Sequence, residues 1–361
     1  MAHFNYQEVL PKLMTPEVMN ALSGIHEYRG KQDVYATLMP STMDKLCEIA
    51  KIQSTKASNE IENIRTTDER LHQLMAQKTE PRNRDEREIL GYRYVLDVIH
   101  DRYRHITVSS GVLLQLHRDL YRYLNVSHAG QWKDSDNVIA QLSDSGEKII
   151  RFIPTSAVAT PHAINDLCAA YNAAIEEGLY DPLLIAALFS FDFMSIHPFL
   201  DGNGRMSRLL ALLALYKNNY DIGKYISFEQ EIEKTKVSYY ESLLASSEGW
   251  KEGRNDYLPF VTYFLGVISA CYRMLSERVG VTAKAQTNED RIKAYFVGLI
   301  GQATKREIVQ THPQMSTRTV ERILQRLQAE GIVEKVGAAR STAYRATGKA
   351  AFENSSDLTA E

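Results

Sequence analysis

The sequence predicts a mainly α-helical protein that contains one small β-hairpin and ends in a separate module of short helices and strands. Apolar residues recur at helical spacing along most of the chain, and the segment from Leu183 to Ile196 is apolar on nearly every side. Two β-prone runs flank a polar turn at 143–146, which indicates the hairpin. At 361 residues the chain is long enough for about two to three domains.

The composition is that of an ordinary globular protein, with 44% hydrophobic and 24% charged residues. The net charge of −3 argues neither for nor against a nucleic-acid partner. The three cysteines are far apart and lack metal-ligand spacing, so we expect a reduced, cytoplasmic location. No apolar run approaches the roughly 18 residues that span a membrane, and the start shows no secretory signal pattern. We therefore expect no membrane attachment.

The N-terminal region is predicted to be helical. The pattern from Ser41 to Lys56 predicts a helix capped by Ser41 or Thr42. A polar stretch follows, and it contains the run Ser58-x-x-x-Glu62-Asn63. Judged on the residues alone, Glu62 is one of many solvated helix acids, although a carboxylate on a helix can also pair with an arginine.

The middle of the chain places a hairpin before a buried helix. The segments 130–139 and 149–153 are the two arms of the predicted hairpin. Asp181-Pro182 is typical of an N-cap followed by a first helical residue. We therefore expect the apolar segment 183–196 to form the central buried helix, which ends at His197.

The stretch after this helix has the residues of a phosphate-binding catalytic loop. The run Asp201-Gly202-Asn203-Gly204 precedes a new helix, and a glycine-rich helix start leaves backbone N–H groups open to an anion. Arg205 and Arg208 lie on one helical face and offer donors for phosphate oxygens. Asp201 is the kind of oxygen ligand that Mg²⁺ prefers beside phosphates. His197 can accept a proton near neutral pH.

These residues also match a known family motif. The run from His197 to Arg208, HPFLDGNGRMSR, resembles the signature of the Fic family, His-x-Phe-x-Asp/Glu-Gly-Asn-Gly-Arg-x-x-Arg, with no departures. The resemblance implies a Fic-type helical core with a small β-hairpin flap. It also implies an enzyme that transfers AMP from ATP to a hydroxyl side chain of a target protein, the protein itself included.

The resemblance assigns a role to each residue of the loop. It implies that His197 is the general base for the target hydroxyl, and that Asp201 binds Mg²⁺ between the α- and β-phosphates of ATP. Phe199 is expected to anchor the loop in the core. The other motif residues are expected to contact phosphates: Gly202, Asn203 and Gly204 through backbone N–H groups and the Asn203 amide, Arg205 at the leaving pyrophosphate, and Arg208 at the γ-phosphate.

A second resemblance concerns the N-terminal region. Ser58, Glu62 and Asn63 match the inhibitory-helix motif, Ser/Thr-x-x-x-Glu-Gly/Asn, of the Fic proteins whose inhibitor precedes the catalytic core. The resemblance implies that a helix over about 54–66 brings Glu62 to Arg208. The pair would occupy the arginine that otherwise holds the γ-phosphate of ATP.

In the same family the hairpin is a flap that holds the target segment and covers the nucleotide. The resemblance implies that Val138 and Ile139 face the ribose or adenine. Lys133 stands where an arginine is expected, and this departure weakens any role for the charge. Without the resemblance, an ordinary surface hairpin would explain the pattern equally well.

An aromatic pair further along the chain is predicted to line the adenine side. Tyr239 and Tyr240 match a family segment Arg-x-x-Tyr-Tyr, in which Lys236 replaces the arginine here. Core packing of two aromatic residues on one helix explains the pair about as well.

The C-terminal module resembles a winged helix-turn-helix. Predicted helices at 292–300 and 304–309 precede a third helix capped by Ser316, and two β-prone runs at 331–337 and 341–345 form the wing. From Asp290 to Ala350 eleven Lys and Arg oppose five acids, a net of about +6. The basic residues expected to face DNA are Arg318, Arg322 and Arg326 on the third helix and Arg340 at the wing tip. Contact with another protein is the competing use of such a module.

The sequence therefore divides into an N-terminal helical region at 1–105, a Fic core at 106–278, a linker at 279–288, a winged helix at 289–350 and a disordered tail at 351–361. Three other functions stay open. Glu62 could activate water in a hydrolase that removes AMP, the loop could transfer phosphocholine or phosphate, or the chain could be a DNA-binding regulator that senses ATP. An intact His197 argues against the last. A homodimer is also left open.

Overall fold

The computed structural model describes residues 4–142, 148–284, 288–299, 301–337 and 342–347. The chain divides into two compact units. The first unit comprises Met1–Gly30 and Ala50–Tyr272, and the second comprises Lys31–Ile49 and Arg273–Glu361. The division falls within long helices, and the second unit includes an N-terminal segment that was not predicted to group with the C-terminal module.

The chain up to residue 284 is mainly α-helical with one small hairpin, which confirms the predicted fold class for this part of the protein. Its helices and strands are α1 Tyr6–Val9, α2 Pro16–Leu38, α3 Pro40–Ile61, α4 Asp68–Met75, α5 Arg84–Arg102, α6 Ser110–Leu120, β1 Ile139–Leu142, β2 Lys148–Phe152, α7 Thr160–Glu177, α8 Pro182–Ile196, α9 Asn203–Lys217, α10 Phe228–Lys234, α11 Lys236–Ser247 and α12 Leu258–Lys284.

Helices α8 and α9 form the centre of the first unit. Helix α8 begins as the sequence predicts, because the Asp181 carboxylate accepts the Leu183 N–H at 2.9 Å and Pro182 occupies the first position. It is buried on nearly every side and packs against α7 and α9. Its apolar surface therefore faces other helices all round, which fixes the position of the residue where it ends, His197.

Helix α3 is longer than the sequence predicts. It begins at Pro40, so the predicted cap residues Ser41 and Thr42 lie inside the helix. Proline is favoured at a first helical position because its missing N–H would have no partner there. The helix ends at Ile61, whereas the inhibitory helix was predicted to extend to about residue 66.

The predicted hairpin is present as an antiparallel pair. Strand β1 pairs with β2 so that Ile139 lies opposite Phe152 and Leu142 opposite Lys148, with an irregularity after Ile139. The predicted turn at 143–146 lies outside the described residues. Helix α11 packs against β2, so the hairpin lies beside the helix that bears the aromatic pair.

Helix α12 corrects two expectations. It continues to Lys284, through the first part of the predicted linker, and α13 begins at Asn288. Within the described chain, the stretch Leu258–Gly280 is long and apolar enough to cross a membrane by length and composition, although 50% of that window is buried inside the protein. Core helices of other proteins pass the same test of length and composition.

In the C-terminal part of the second unit, the described residues form three helices and a three-stranded sheet. The sheet has the order β3-β5-β4 with antiparallel neighbours. Ser316 caps its last helix as predicted, since its hydroxyl oxygen accepts the Thr319 N–H at 3.1 Å. Arg340 and the predicted tail lie outside the described residues. The elements are α13 Asn288–Gly298, β3 Ala303–Thr304, α14 Lys305–Thr311, α15 Thr317–Ala329, β4 Val333–Val336 and β5 Ala343–Ala346.

Candidate active site

The loop between α8 and α9 is closed by the side chain of Asn203. Its Oδ1 accepts the Phe199 N–H at 2.9 Å, and its Nδ2 donates to the Phe199 carbonyl at 2.7 Å. Gly202 precedes the helix with φ +82°, a conformation that side chains rarely adopt. The Asn203 amide was predicted to contact phosphates. In the structure both ends of that amide bond to the loop itself, so Asn203 holds the backbone turn that precedes α9.

His197 lies directly after α8 in a left-handed conformation, with φ +51° and ψ +61°. Its Nδ1 lies 3.3 Å from the carbonyl oxygen of Met194. A carbonyl only accepts, so Nδ1 carries the proton in the neutral ring and Nε2 keeps its lone pair. Burial lowers the pKa of His197 to about 4, and the charge of Lys133 also lowers it. The hydrogen bond to Met194 and the charges of Glu62 and Asp201 act to raise the pKa. At neutral pH the ring is therefore uncharged and able to accept a proton.

Phe199 anchors the loop by stacking on His117, a residue that was not predicted to belong to the site. The rings of Phe199 and His117 are parallel, with centroids 3.7 Å apart and an interplanar angle of 1°. His117 also lies 3.1 Å from the Asp201 carbonyl through Nε2, and its Nδ1 accepts the Gly130 N–H at 2.9 Å. His117 therefore links α6 to both the loop and the segment that leads into the hairpin.

Lys133 is buried, with 3% of its surface exposed. Its Nζ lies 2.9 Å from Asn137 Oδ1 and 3.2 Å from the carbonyl oxygen of Ile196. Its backbone N–H donates to the Pro198 carbonyl at 2.9 Å. Because lysine stands here in place of the expected arginine, the Lys133 charge was predicted to have a weakened role. The structure instead places it against the residues on both sides of His197.

Asp201 is the loop's carboxylate, and its side chain is about half exposed. Its Oδ1 accepts the Gly202 N–H at 2.7 Å, while Oδ2 lies 3.6 Å from Arg84 Nη2. Burial acts to raise the pKa of Asp201, but Arg205, Tyr121, the Gly202 N–H and Arg84 together lower it. The group is therefore an anion at neutral pH with one oxygen near solvent.

The Asp201 carboxylate suits Mg²⁺ better than a metal that needs several protein ligands. No three His, Cys, Asp or Glu side chains within the described ranges come close enough together to hold a metal ion. Mg²⁺ is commonly bound by one or two carboxylates, waters and substrate phosphates, so a single exposed carboxylate beside an anion site suits it.

Arg205 is directed into the protein. Its Nη1 lies 2.8 Å from Glu88 Oε2, and its Nη2 donates to the Tyr121 hydroxyl at 2.9 Å. This differs from the expectation that Arg205 contacts the leaving pyrophosphate directly. Glu88 and Tyr121 were missed by sequence reasoning because they lie on or beside α5 and α6, far from the motif in the chain.

Arg208 is buried and points toward the end of α3. Its Nε donates to Ser58 Oγ and its Nη2 to the Ser58 carbonyl, each at 2.8 Å. The same Nη2 lies 2.9 Å from Glu62 Oε1. Glu62 Oε1 also lies so close to Gly204 that a side chain at that position would collide with it. A carboxylate therefore rests at the start of α9, between the glycine and the arginine.

The end of α3 explains why the residue after Glu62 is an asparagine. Asn63 has φ +62°, and the Ile64 N–H donates to the Asn59 carbonyl at 3.0 Å. This is the geometry of a helix end with a left-handed residue, where glycine and asparagine are favoured. The turn at Asn63 ends the helix and leaves Glu62 at its tip, directed toward Arg208.

The residues predicted to contact adenine fall into different environments. Tyr239 is buried among aromatic rings that include Tyr263, with centroids 5.8 Å apart, whereas Tyr240 is 44% exposed. Burial raises the pKa of Tyr240, the charge of Glu62 acts in the same direction, and Arg208 acts against both. Val138 is 40% exposed and precedes β1, while Ile139 is its first residue.

The comparisons with known proteins concern the same region. Residues 107–215 match the Fic/DOC family. A stretch of 74 residues, 20% of the chain, is 36% identical to a Fido domain-containing protein of Dictyostelium discoideum and covers 48% of it. The chain thus spans about half the length of that curated relative.

Solved structures share the fold over more of the chain. A Fic family protein from Desulfovibrio desulfuricans aligns with a TM-score of 0.60 at 24% identity, over 93% of this chain and 97% of that one. A Fic domain-containing signalling protein from Bacteroides thetaiotaomicron has a TM-score of 0.58 at 22% identity, over 70% and 94%. A variant fragment of Fic-1 from C. elegans has a TM-score of 0.58 at 17% identity, over 74% and 73%.

Proposed function

We propose that this protein, whose residues 107–215 match the Fic/DOC family, transfers AMP from ATP to a hydroxyl side chain of a target protein. Fic proteins commonly catalyse this transfer. The observation that carries the proposal is the anion site at the start of α9. There the Glu62 carboxylate lies between Gly204 and the buried Arg208.

An anion at this place is what the local physics favours. The first N–H groups of α9 have no intrahelical partners, and the helix dipole adds a positive potential. Arg208 adds a guanidinium whose planar fork suits a carboxylate or a phosphate equally. The glycine at 204 leaves room for the anion to approach the backbone closely. A phosphate can therefore occupy the space that the Glu62 carboxylate fills.

His197 supplies the base. Its Nε2 lone pair is free of the Met194 contact, so it can accept the proton of a target hydroxyl that attacks the α-phosphate. The α-phosphate accepts the oxygen as the bond to pyrophosphate breaks, and the proton stays on His197. When bound by Asp201, Mg²⁺ would neutralise phosphate charge during this displacement. Positioning and electrostatics supply most of the catalysis in such a site.

We assign Glu62 an inhibitory role within this site. Arg208 uses its Nε and Nη2 for contacts with Ser58 and Glu62, so these two nitrogens are not available to a γ-phosphate. Nucleotide whose γ-phosphate is not held would place its α-phosphate out of line with His197. The resting protein is therefore expected to be nearly inactive.

Self-labelling with ATP tests both parts of the proposal. Glu62→Gly should raise incorporation from ATP labelled on the α-phosphate by about ten- to a hundredfold, because a charge-assisted hydrogen bond contributes about 1.5–3 kcal/mol. ATP labelled on the γ-phosphate should give no signal. Glu60→Gly is the matched control, since it makes the same change two residues away at a surface pair with Lys56. Equal labelling by wild type and Glu62→Gly would exclude the inhibitory role.

Removal of AMP is the nearest alternative activity. The Glu62 carboxylate lies beside Gly204 at the start of α9, so it could orient a water at the same phosphorus. An AMP-modified protein as substrate separates the two reactions. If Glu62→Gly loses removal and gains transfer, Glu62 serves both activities.

A second candidate function concerns the C-terminal module, which we propose is a winged helix that contacts DNA. The order α13, β3, α14, α15, β4, β5 and the exposed Arg318 and Arg322 support this proposal. Arg326, the third arginine of the predicted stripe, lies 2.8 Å from Glu289, so part of its charge is neutralised within the module.

A gel shift with the full chain across several salt concentrations tests DNA contact. Paired Arg318→Ala and Arg322→Ala substitutions should weaken binding and flatten its salt dependence. Arg306→Ala, an exposed arginine on α14, is the control. No shift at low salt would favour a protein partner.

A further inference from the structure

The segment 133–137 contacts the backbone on both sides of His197. Lys133 Nζ lies 3.2 Å from the Ile196 carbonyl oxygen, and the Lys133 N–H donates to the Pro198 carbonyl at 2.9 Å. Asn137 Nδ2 donates to the Phe199 carbonyl at 3.3 Å. Lys133 Nζ and Asn137 Oδ1 are themselves 2.9 Å apart. One short segment therefore binds three of the four carbonyls from 196 to 199.

These carbonyls need partners because of the backbone conformation at His197. The last carbonyls of a helix have no intrahelical N–H donors, and Ile196 is the last residue of α8. His197 itself has φ +51°, which is uncommon for residues other than glycine. A positive charge near the C-terminal end of a helix is also favoured by the helix dipole. The ammonium group supplies both the donor and the charge.

We propose that Lys133 is a positioning residue for His197, acting by fixing the left-handed turn that aims the imidazole at the anion site. The inference rests on the proposed role of His197 as base. Lys133 does not reach the reacting atoms, since its Nζ is directed to Ile196 and Asn137. It acts through the backbone that holds the imidazole.

The electrostatic environment of Lys133 supports the same role. Burial lowers the pKa of Lys133 to about 8, with Asp136 acting against this and Lys251 adding to it. The side chain is therefore mostly charged at neutral pH. A buried charge that is retained needs compensation, and the carbonyl and amide oxygens around Nζ provide it.

Kinetics in the Glu62→Gly background test the proposal. Lys133→Met should slow self-labelling about 100-fold, the size of effect expected when a catalytic group moves by about 1 Å. Lys133→Arg keeps the charge and the donors, so it should retain most of the activity. Lys217→Met is the control, because Lys217 Nζ also donates to a backbone carbonyl, that of Ile106 at 2.9 Å, at the far end of α9.

NMR of the His197 imidazole does not need catalytic activity, so it tests the role of Lys133 independently of the proposed function. The His197 imidazole can be followed by NMR in isotope-labelled protein, with His197→Ala for assignment. Lys133→Met should shift its resonances and raise its pKa toward the ordinary value, while Lys133→Arg and Lys217→Met should leave both nearly unchanged. If Glu62→Gly shows no labelling, the proposed function fails, and the NMR result still decides the role of Lys133.

Asn137→Ala is a milder substitution that tests the proposal even if Lys133→Met fails to fold. Asn137→Ala removes the donor to Phe199 and one acceptor for Lys133, but leaves the ammonium in place. It should slow labelling by about tenfold, an intermediate effect on the same scale. Unchanged labelling and unchanged His197 resonances in both Lys133→Met and Asn137→Ala would overturn the proposal.

Discussion

Lys236 Nζ lies 2.7 Å from the carbonyl oxygen of Ile61, so helix α11 holds the last residue of helix α3. The contact precedes Glu62 by one residue and satisfies a carbonyl at the helix end. The sequence marked Lys236 only as a substitute for an arginine on the adenine side. In the structure its Nζ contacts the end of α3, one residue before Glu62.

Lys236→Met should therefore release Glu62 in part. We expect self-labelling to rise by about two- to tenfold, less than for Glu62→Gly, because one hydrogen bond from a charged group contributes about 1.5 kcal/mol or less at a partly exposed site. Lys234→Met is the control, since its exposed Nζ pairs only with Glu231 on the surface in the described part of the chain. Labelling equal to wild type would show that α11 does not restrain α3.

Asn203 should be required for the stability of the loop as well as for activity. Asn203→Ala removes the partner of the buried Phe199 N–H, and we expect the free energy of unfolding to fall by about 1–3 kcal/mol. Asn203→Asp should be no better, because a carboxylate oxygen would then face the Phe199 carbonyl. Urea denaturation measures both. Wild-type stability of the Asp variant would argue that the Nδ2 contact is dispensable.

The pH dependence of transfer should reflect the lowered pKa of His197. A base acts in its unprotonated form, so the rate falls only as the pH approaches the pKa from above. Burial lowers that pKa to about 4, and removing Glu62 takes away a charge that raises it. Glu62→Gly should therefore label at a nearly constant rate from pH 7 to pH 5.5, a range in which Lys133 also stays charged. A fall centred near pH 6.5, the value of an exposed histidine, would contradict the buried geometry.

Asp192 on α8 should make the protein less stable as the pH rises. Burial raises its pKa to about 7, while Trp250 Nε1, Tyr6 and Tyr257 donate to it and act to lower the pKa. The folded state thus holds a proton that the unfolded chain releases near pH 4. The stability from this group is complete below about pH 4 and is lost as the pH rises toward 7.

Asp192→Asn tests this directly. The asparagine cannot ionise, and the Tyr6 hydroxyl can turn to accept from its amide. The difference in free energy of unfolding between the variant and wild type should change by up to about 1.4 kcal/mol per pH unit between pH 4 and 7. Parallel stability curves would mean that Asp192 titrates below pH 4 in the folded protein.

Local patterns predicted much of the fold and part of the site. The Asp181-Pro182 start of α8, the hairpin and the Ser316 cap each depend on a few adjacent residues, and the structure has all three. The run from His197 to Arg208 was also readable, because its geometry is set by neighbours such as Gly202. Ends of helices were less predictable, as the start of α3 at Pro40 shows.

Contacts between distant segments could not be read from the sequence. The bond from Arg205 to Tyr121 joins residues 84 positions apart, and the stack of His117 on Phe199 joins α6 to the loop. No spacing rule links such residues, since they meet only after α5, α6 and α9 pack. The same holds for Lys133, whose partner is a backbone carbonyl without any sequence signal of its own.

Mass spectrometry of the Glu62→Gly protein after incubation with ATP and Mg²⁺ tests the proposed transfer most directly. We expect a mass increase of one AMP on a hydroxyl side chain, and none when His197→Ala is added. An unmodified Glu62→Gly protein, or modification that persists without His197, would contradict the claim that an imidazole and a phosphate site at the start of α9 work together.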